Sequence, residues 1–327
     1  MAVLPDDLSA ALDDELARHP LHRLTQAVDK LSTRYRQGDA ATSPILASDV
    51  DVAAYAGYRM PATYAAVHAV LAEAASRAPG FEPHTQIDVG GGTGAAVWAA
   101  ADVWPSLAKC AVVEQVAGAI GLGKRLAAGA KKPVVRDVEW RRGLVDPAAP
   151  APDADLVTLS YVLGELPEAS REDVVRWLAA KAGAVALVEP GTPAGYERIR
   201  AARAQLIELG LHVVAPCPHD GGCPITPGQD WCHFAARLPR SNLHRRMKTA
   251  TLGFEDEKFA YVVAGRFTPA RPDARIIRHP KKHKGWVALD LCTAADGLKS
   301  GVAVSKKQGP RYRAARDVEW GDGWSTN

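Results

Sequence analysis

The 327-residue chain predicts an α/β fold in which a parallel sheet is covered by helices on both faces. Three observations carry that expectation. Short apolar runs alternate with helix-period stretches through the middle of the chain. A glycine-rich loop, Asp88-Val89-Gly90-Gly91-Gly92-Thr93-Gly94, joins the first of those runs to a helix. An acid, Glu114, closes the next run.

The elements follow in order. Leu8, Leu12, Leu16, Leu24, Val28 and Leu31 recur at helical spacing over residues 7–36. A second helical stretch over 50–77 carries Tyr55, Tyr58, Met60, Tyr64, Val67 and Val70, with Pro61 as a kink or a first-turn residue. Residues 1–78 are therefore expected to form a helical N-terminal cap. Strands are expected at 86–89, 111–114, 133–135, 155–161, 184–188 and 212–215, and a last one at 259–264. Helices are expected at 95–103, 170–182 and 196–209. These make one domain over 79–267. The segment from 216 to about 254 holds three cysteines and is too long for an ordinary loop, so it predicts an inserted lobe. The tail, 268–327, is expected to be a small β-rich module with strands at 275–278, 286–292 and 301–305.

An apolar fraction of 47% and a charged fraction of 24% are those of a water-soluble globule with a sizeable core. No uninterrupted apolar run is long enough to span a bilayer, so a membrane is not expected as a partner. The chain opens with Asp6, Asp7, Asp13, Asp14 and Glu15, unlike a secretory signal or an Arg-rich transit peptide, and a cytoplasmic location is expected. The net charge of +3 hides an asymmetry: from Thr268 onward 12 Lys+Arg face 6 Asp+Glu, while the first 267 residues carry 28 against 31. A basic tail on a mildly acidic body suits a polyanionic partner such as nucleic acid, although a solvated basic face has the same composition.

The glycine loop lets backbone approach a ligand that side chains would block, and the following helix N-terminus favours a negative group. The dinucleotide fingerprint wants a third glycine three residues beyond the second; that position is Val97. The loop instead has the shape of an S-adenosylmethionine site. Asp88, Gly90, Gly92 and Gly94 would line it, Glu114 would accept from ribose hydroxyls, Asp137 would meet the adenine amino group, and Ser160 ends the fourth strand beside it. The runs Ser160-Tyr161-Val162-Leu163-Gly164-Glu165-Leu166 and Glu189-Pro190-Gly191-Thr192-Pro193 fall at strand ends, where open α/β sheets bind ligands. Neither contains an Asn-Pro-Pro-aromatic run or a cysteine nucleophile, and the catalytic residues are unknown from local motifs.

Five cysteines in a chain this long do not suggest a disulfide framework. Cys110 sits in an apolar run and is expected to be buried. Cys217, Cys223, Cys232 and Cys292 are separated by five, eight and fifty-nine residues, unlike paired zinc-finger ligands. Four thiolates can bind Zn²⁺ or a [4Fe–4S] cluster, and His219 and His233 are spare candidate ligands.

Several of these runs together carry a resemblance. They are Tyr58-Arg59-Met60-Pro61-Ala62-Thr63-Tyr64, the 88–94 loop, the two strand-end runs, Cys217-Pro218-His219-Asp220-Gly221-Gly222-Cys223-Pro224, Asp230-Trp231-Cys232-His233-Phe234 and Asp290-Leu291-Cys292-Thr293. In this order the chain resembles the methyltransferase-like small-ribosomal-subunit proteins of bacteria and mitochondria. The resemblance implies a class I S-adenosylmethionine methyltransferase fold and a [4Fe–4S] cluster on Cys217, Cys223, Cys232 and Cys292. It also implies action on small-subunit ribosomal RNA or in assembly of the small ribosomal subunit; separately, the free chain is expected to be a monomer. Three functions then compete: an rRNA methyltransferase, a non-catalytic assembly factor that keeps the fold, and a zinc-containing small-molecule methyltransferase. The basic tail argues against the third.

Overall fold

The computed structural model describes residues 3–37, 48–240, 245 and 252–325. The N-terminal stretch divides at Pro20 into α1 (Asp6–Ala17) and α2 (Leu21–Gln37), because proline opens a new helix more readily than it continues one. The third helix, α3 (Asp49–Arg77), starts from a capping box: Ser48 Oγ accepts the Asp51 N–H at 3.2 Å and Asp51 Oδ2 accepts the Ser48 N–H at 3.1 Å. Pro61 lies inside this unbroken helix, not in its first turn. The buried stripe of Met60, Tyr64, Val67, Val70 and Leu71 packs α3 over the sheet and over α4 (Ala95–Val103).

The main sheet comprises β1 (Thr85–Val89), β2 (Lys109–Glu114), β3 (Glu139–Arg142), β4 (Leu156–Ser160), β5 (Ala184–Pro190), β6 (His212–Ala215), β7 (Phe234–Pro239) and β8 (Phe254–Gly265). Their order is β3-β2-β1-β4-β5-β8-β6, with β7 against the outer part of β8. The run from β3 to β5 is parallel, whereas β8 runs antiparallel to β5, β6 and β7. The sheet is thus mixed rather than wholly parallel. Its central strands are apolar on both faces: Leu156, Val157, Val185, Leu187 and Val262 are completely buried. Covering them are α4, α5 (Ala117–Ala128), α7 (Glu168–Ala179) and α8 (Pro193–Glu208).

One expected strand is a helix. Residues 133–135 fall in α6 (Pro133–Arg136), with Pro133 pre-organised in the first turn. The third strand is the charged Glu139-Trp140-Arg141-Arg142 at the sheet edge, where one side stays in water. Asp137 therefore precedes the third strand instead of following it. Within the expected 216–254 lobe, β7 is part of the sheet and Arg237 closes it against Asp256 at 2.7 Å. Residues 241–244 and 246–251 of that lobe lie outside the described residues.

The tail forms a second, antiparallel sheet from β9 (Ala274–Ile276), β10 (Lys281–His283), β11 (Trp286–Thr293), β12 (Gly297–Ser305) and β13 (Gly323–Trp324). It packs Ile276, Val287, Leu289, Leu291 and Val304 against Ala315 of α9 (Pro310–Asp317). Parallel strands in the order 3-2-1-4-5, followed by an antiparallel strand inserted before the sixth, make the Rossmann-like fold of class I methyltransferases. Here it carries a helical N-terminus and a C-terminal antiparallel β module.

Candidate cofactor cleft and cysteine site

The glycine loop is shaped by its neighbours. Gly90, Gly92 and Gly94 all take positive φ, at +65°, +57° and +87°, a region that costs an L-residue about 1–2 kcal/mol. Gly91 is required for space: a Cβ there would stand 2.4 Å from Asp88 Oδ2 and 2.8 Å from Val112 Cγ1. Asp88, at 1% exposure, ends β1 beneath the loop. Its Oδ1 accepts the Thr158 hydroxyl at 2.7 Å, and its Oδ2 is buried without a partner. Burial pushes the Asp88 carboxyl up to about 7, the Thr158 hydroxyl opposes that, and the Glu114 charge adds to it.

Glu114 braces the loop from the end of β2. Its Oε2 accepts the Gly92 N–H at 2.9 Å and its Oε1 the Val116 N–H at 2.8 Å. Each oxygen keeps a second lone-pair direction for a ligand. Ser160 ends β4 with its Oγ buried and unpartnered. Asp137, before β3, is the solvent-facing member of the set: 69% of its side chain is exposed, and Arg136 Nε lies 3.5 Å from its Oδ1.

Beyond Ser160 the structure assembles a polar wall from Tyr161, Glu165 and Glu189 of the two strand-end runs, and joins to it Arg59 and Glu257, which sequence reasoning did not connect to them. Tyr161 has φ +62°, a strained conformation for a non-glycine residue, and donates its hydroxyl to Glu257 Oε1 at 2.9 Å. Arg59 pairs with the same carboxylate at 3.0 Å and lies 5.0 Å from the Tyr161 ring centre. Sequence separations of 198 and 96 residues hid the network; the available signal was an arginine in the largely apolar middle of α3. Next to it, Glu189 is 1% exposed, accepts Arg198 Nε at 2.6 Å through Oε2 and leaves Oε1 unpartnered. Glu165 is pushed up to about 7, by desolvation first and then by Glu114 and Glu189. Its surface is nevertheless exposed; a carboxyl both crowded and wetted belongs to a concave wall, where solvent screens part of that effect.

The cysteine region lies on the other side of α8. All five cysteines are free, and Cys110 is buried as expected. Cys217, Cys223, Cys232 and Cys292 sit within electrostatic reach of one another. Burial pushes the Cys232 thiol well up, and Cys217, Cys292 and Cys223 push it further. Cys292 rises to about 12 by burial, with Cys217 and Cys223 adding. Among the described residues no group of three or more His, Cys, Asp or Glu is arranged to hold a metal ion. As a donor set, four free thiols that influence one another electrostatically suit a four-thiolate group in chemistry, although no closed single-ion geometry exists among the described residues.

Arg203, at 5% exposure, holds the loop: it donates to Cys217 Sγ at 3.2 Å and to the carbonyls of His219 and Gly221, each at 2.8 Å. Tyr196, two turns earlier on the same face of α8, has its hydroxyl 3.1 Å from Cys223 Sγ. His219 Nε2 lies 3.8 Å from Cys292 Sγ, while His233 stacks on Trp231. Two ion pairs, Arg271–Asp220 at 2.6 Å and Arg278–Asp230 at 2.5 Å, fasten the C-terminal module beside the cysteines.

Among solved structures, the magnesium protoporphyrin IX methyltransferase of Synechocystis with bound S-adenosylmethionine is similar at 13% identity and a TM-score of 0.41, over 72% of this chain and 90% of that one. The Geobacter metallireducens precorrin-6y C5,15-methyltransferase is similar at 15% identity and a TM-score of 0.39, over 61% and 86%. Among curated proteins, the human mitochondrial ribosome assembly protein METTL17 is 31% identical over 287 residues, 82% of this chain and 61% of that one. The mitochondrial Rsm22-cox11 tandem protein 2 of Schizosaccharomyces pombe is 28% identical over 182 residues, 43% of this chain and 24% of that one. The chain thus spans about three fifths of the human relative's length and a quarter of the yeast one's.

These relatives are mitochondrial proteins, which overturns the cytoplasmic location expected above. The acidic opening has a local cause instead: Asp6 and Asp7 occupy the first turn of α1, where the helix dipole favours them, and Glu15 pairs with Arg125 at 2.6 Å. The family model of the mitochondrial small ribosomal subunit protein Rsm22 matches residues 49–325, and the chain belongs to that family.

Proposed function

We propose that the chain binds S-adenosylmethionine in the cleft of Asp88, Gly90, Gly92, Gly94, Glu114, Asp137 and Ser160, and that it acts in small-ribosomal-subunit assembly through small-subunit ribosomal RNA. The observation that carries the cofactor reading is the unpartnered, fully buried Oδ2 of Asp88 under a glycine loop of positive φ. A buried carboxylate with an open lone pair is costly until a cation or donor meets it, and the ammonium group of the ligand would do so. Gly91 and Gly92 would admit it, Glu114 would accept from ribose hydroxyls, and Ser160 Oγ would meet a further polar atom. When bound, the cofactor supplies an electrophilic methyl group.

Cys217, Cys223, Cys232 and Cys292 would hold a [4Fe–4S] cluster, with zinc as the alternative occupant of the same donors. Bound there, the group would join the 217–232 loop to β11 and so fasten the C-terminal module to the methyltransferase-like domain. The working units are 1–78, 79–267 with a cysteine lobe at about 216–254, and 268–327. Family membership and the basic tail support a ribosomal RNA partner for a chain that is a monomer when free.

A second reading, a non-catalytic assembly factor, is favoured by Glu114, whose two oxygens already serve the N–H groups of Gly92 and Val116. Titration calorimetry with S-adenosylmethionine tests the cofactor reading; no heat at millimolar ligand would reduce the loop to an element of the fold. Mass spectrometry of small-subunit RNA made with and without the protein separates the readings, because only the loss of an enzyme removes a methyl mark.

A further inference from the structure

The β10–β11 hairpin displays two rings to solvent that pack nothing in the core. His283 and Trp286 are a directly opposed pair in the antiparallel register, and their rings stack at 4.0 Å between centres and 11° between planes. Both are exposed, Trp286 at 38%. Adjacent Val287 is fully buried on the opposite face, so strand alternation fixes Trp286 outward. Lys281 shares the His283 face, Lys284 follows it into the turn, Lys282 stands on the same edge strand on the Val287 side, and all are exposed. The Lys306 N–H donates to Gly285 O at 2.9 Å, which brings a fourth lysine to the hairpin turn. Among the described residues none of these four lysines enters an ion pair, and the hairpin from Lys281 to Trp286 contains no acid.

Lysines alone would be explained by edge protection, since β10 is an edge strand. That explanation does not cover a stacked aromatic pair in water beside them. A flat π-surface bordered by unpaired cations matches the chemistry of an unstacked nucleobase with its flanking phosphates. A duplex hides its base faces and cannot use the rings.

We propose that the His283–Trp286 stack, bordered by Lys281, Lys282, Lys284 and Lys306, is a binding platform for single-stranded RNA. It rests on the ribosomal reading only in the choice of RNA over DNA. A base stacks on the outer ring of the pair, while the lysines neutralise the adjoining phosphates.

The test uses the full chain and a fluorescein-labelled oligouridylate of roughly 12 nucleotides, followed by anisotropy over a sodium chloride series beside a blunt RNA duplex. Trp286→Ala should weaken single-strand binding roughly 5- to 100-fold with an unchanged salt slope. Trp286→Phe should keep most of the affinity. The combined Lys281→Gln, Lys282→Gln and Lys284→Gln variant should lower the logarithmic salt slope by about 2. Melting temperatures equal to wild type would confirm that these exposed changes leave the fold intact. Equal affinity of wild type and Trp286→Ala for the single strand overturns the proposal. So does an equal loss on the duplex, preference for phosphatidylserine vesicles over RNA, or no RNA binding by wild type. Co-sedimentation of the same proteins with small ribosomal subunits keeps the two ideas apart. If wild type sediments with the subunit and Trp286→Ala binds oligouridylate normally, the platform fails and the ribosomal reading stands. If the platform holds and nothing sediments, the ribosomal reading fails alone.

Discussion

Replacing Asp88 by Asn should make the ligand-free protein more stable at neutral pH while destroying its cofactor site. Asp88 titrates near 7 in the folded chain, against 3.8 for the unconstrained group. The folded state therefore holds this proton more tightly than the unfolded state does. Its contribution to stability is complete below the unfolded value of 3.8 and is lost as pH rises through 7. A rise from 3.8 to about 7 corresponds to about 4 kcal/mol at full ionisation, with no allowance for solvent because the side chain is 1% exposed. Asn mimics the protonated carboxyl, and its oxygen can still accept the Thr158 hydroxyl. The stability difference between variant and wild type should thus grow from about pH 4 and level off above pH 7, at about 4 kcal/mol. Urea unfolding followed by circular dichroism at several pH values gives that curve, and titrating groups not coupled to Asp88 cancel in the difference. A difference that is flat over this range, or that shrinks as pH rises, would refute the placement of a strained carboxylate under the loop. Calorimetry on the same variant should show S-adenosylmethionine binding lost in spite of the gain.

Three further outcomes are expected. Arg203→Met should lower the urea-unfolding free energy of the metal-free protein by roughly 1–3 kcal/mol, because it leaves the part-buried carbonyls of His219 and Gly221 without their shared donor; a loss under about 0.5 kcal/mol would mean the loop stands without it. Gly91→Ala should cost about 1–3 kcal/mol by overpacking against Asp88 and Val112. Gly92→Ala, with open space but positive φ, should cost only about 1–2 kcal/mol from backbone strain, and thermal melts of the pair separate the two causes. Protein purified without oxygen should carry about four irons per chain, and Cys217→Ser or Cys223→Ser should release them. Stoichiometric zinc with no iron, measured by plasma mass spectrometry, would reject the cluster.

The cofactor half of the fold was legible because its signals are local. The strand Thr85–Val89, the glycines and the helix after them occupy one continuous stretch, and each glycine marks a conformation that other residues resist. Elements stabilised at a distance were not legible. The strand Glu139–Arg142 is charged and lies at an edge, so it lacks the apolar run that identifies buried strands, and the apolar Pro133-Val134-Val135 run, a helix in the structure, reads as a strand in its place. The strand Phe234–Pro239 alternates buried and exposed residues only because Phe254–Gly265 lies beside it. The four cysteines were recognisable by type, but Arg203, which holds their loop, looks like any helical arginine until α8 is seen to turn it inward. The meeting of Arg59, Tyr161 and Glu257 depends on three elements folding together, and no window along the chain contains it.

The position of β8 has a consequence for how the protein is made. A ribosome synthesising this chain releases β1 to β5 first, and they can pair in the order of their appearance. The next strand, β6, has no edge to join: its neighbour is β8, some forty residues downstream. Until β8 emerges and slides between β5 and β6, the facing edges of β5, β6 and β7 stay open, and open edges recruit other chains. The cysteine loop hangs in that interval. Cys217, Cys223 and Cys232 emerge before the sheet closes, while Cys292 appears only after it has. The four thiols cannot gather until β11 has emerged, so any group they hold would be loaded only after the sheet has closed. A nascent chain stalled before β8 would expose β6 and β7 unpaired, the open edge of β5 and three ungathered thiols, and it is in that interval that a chaperone would find its substrate.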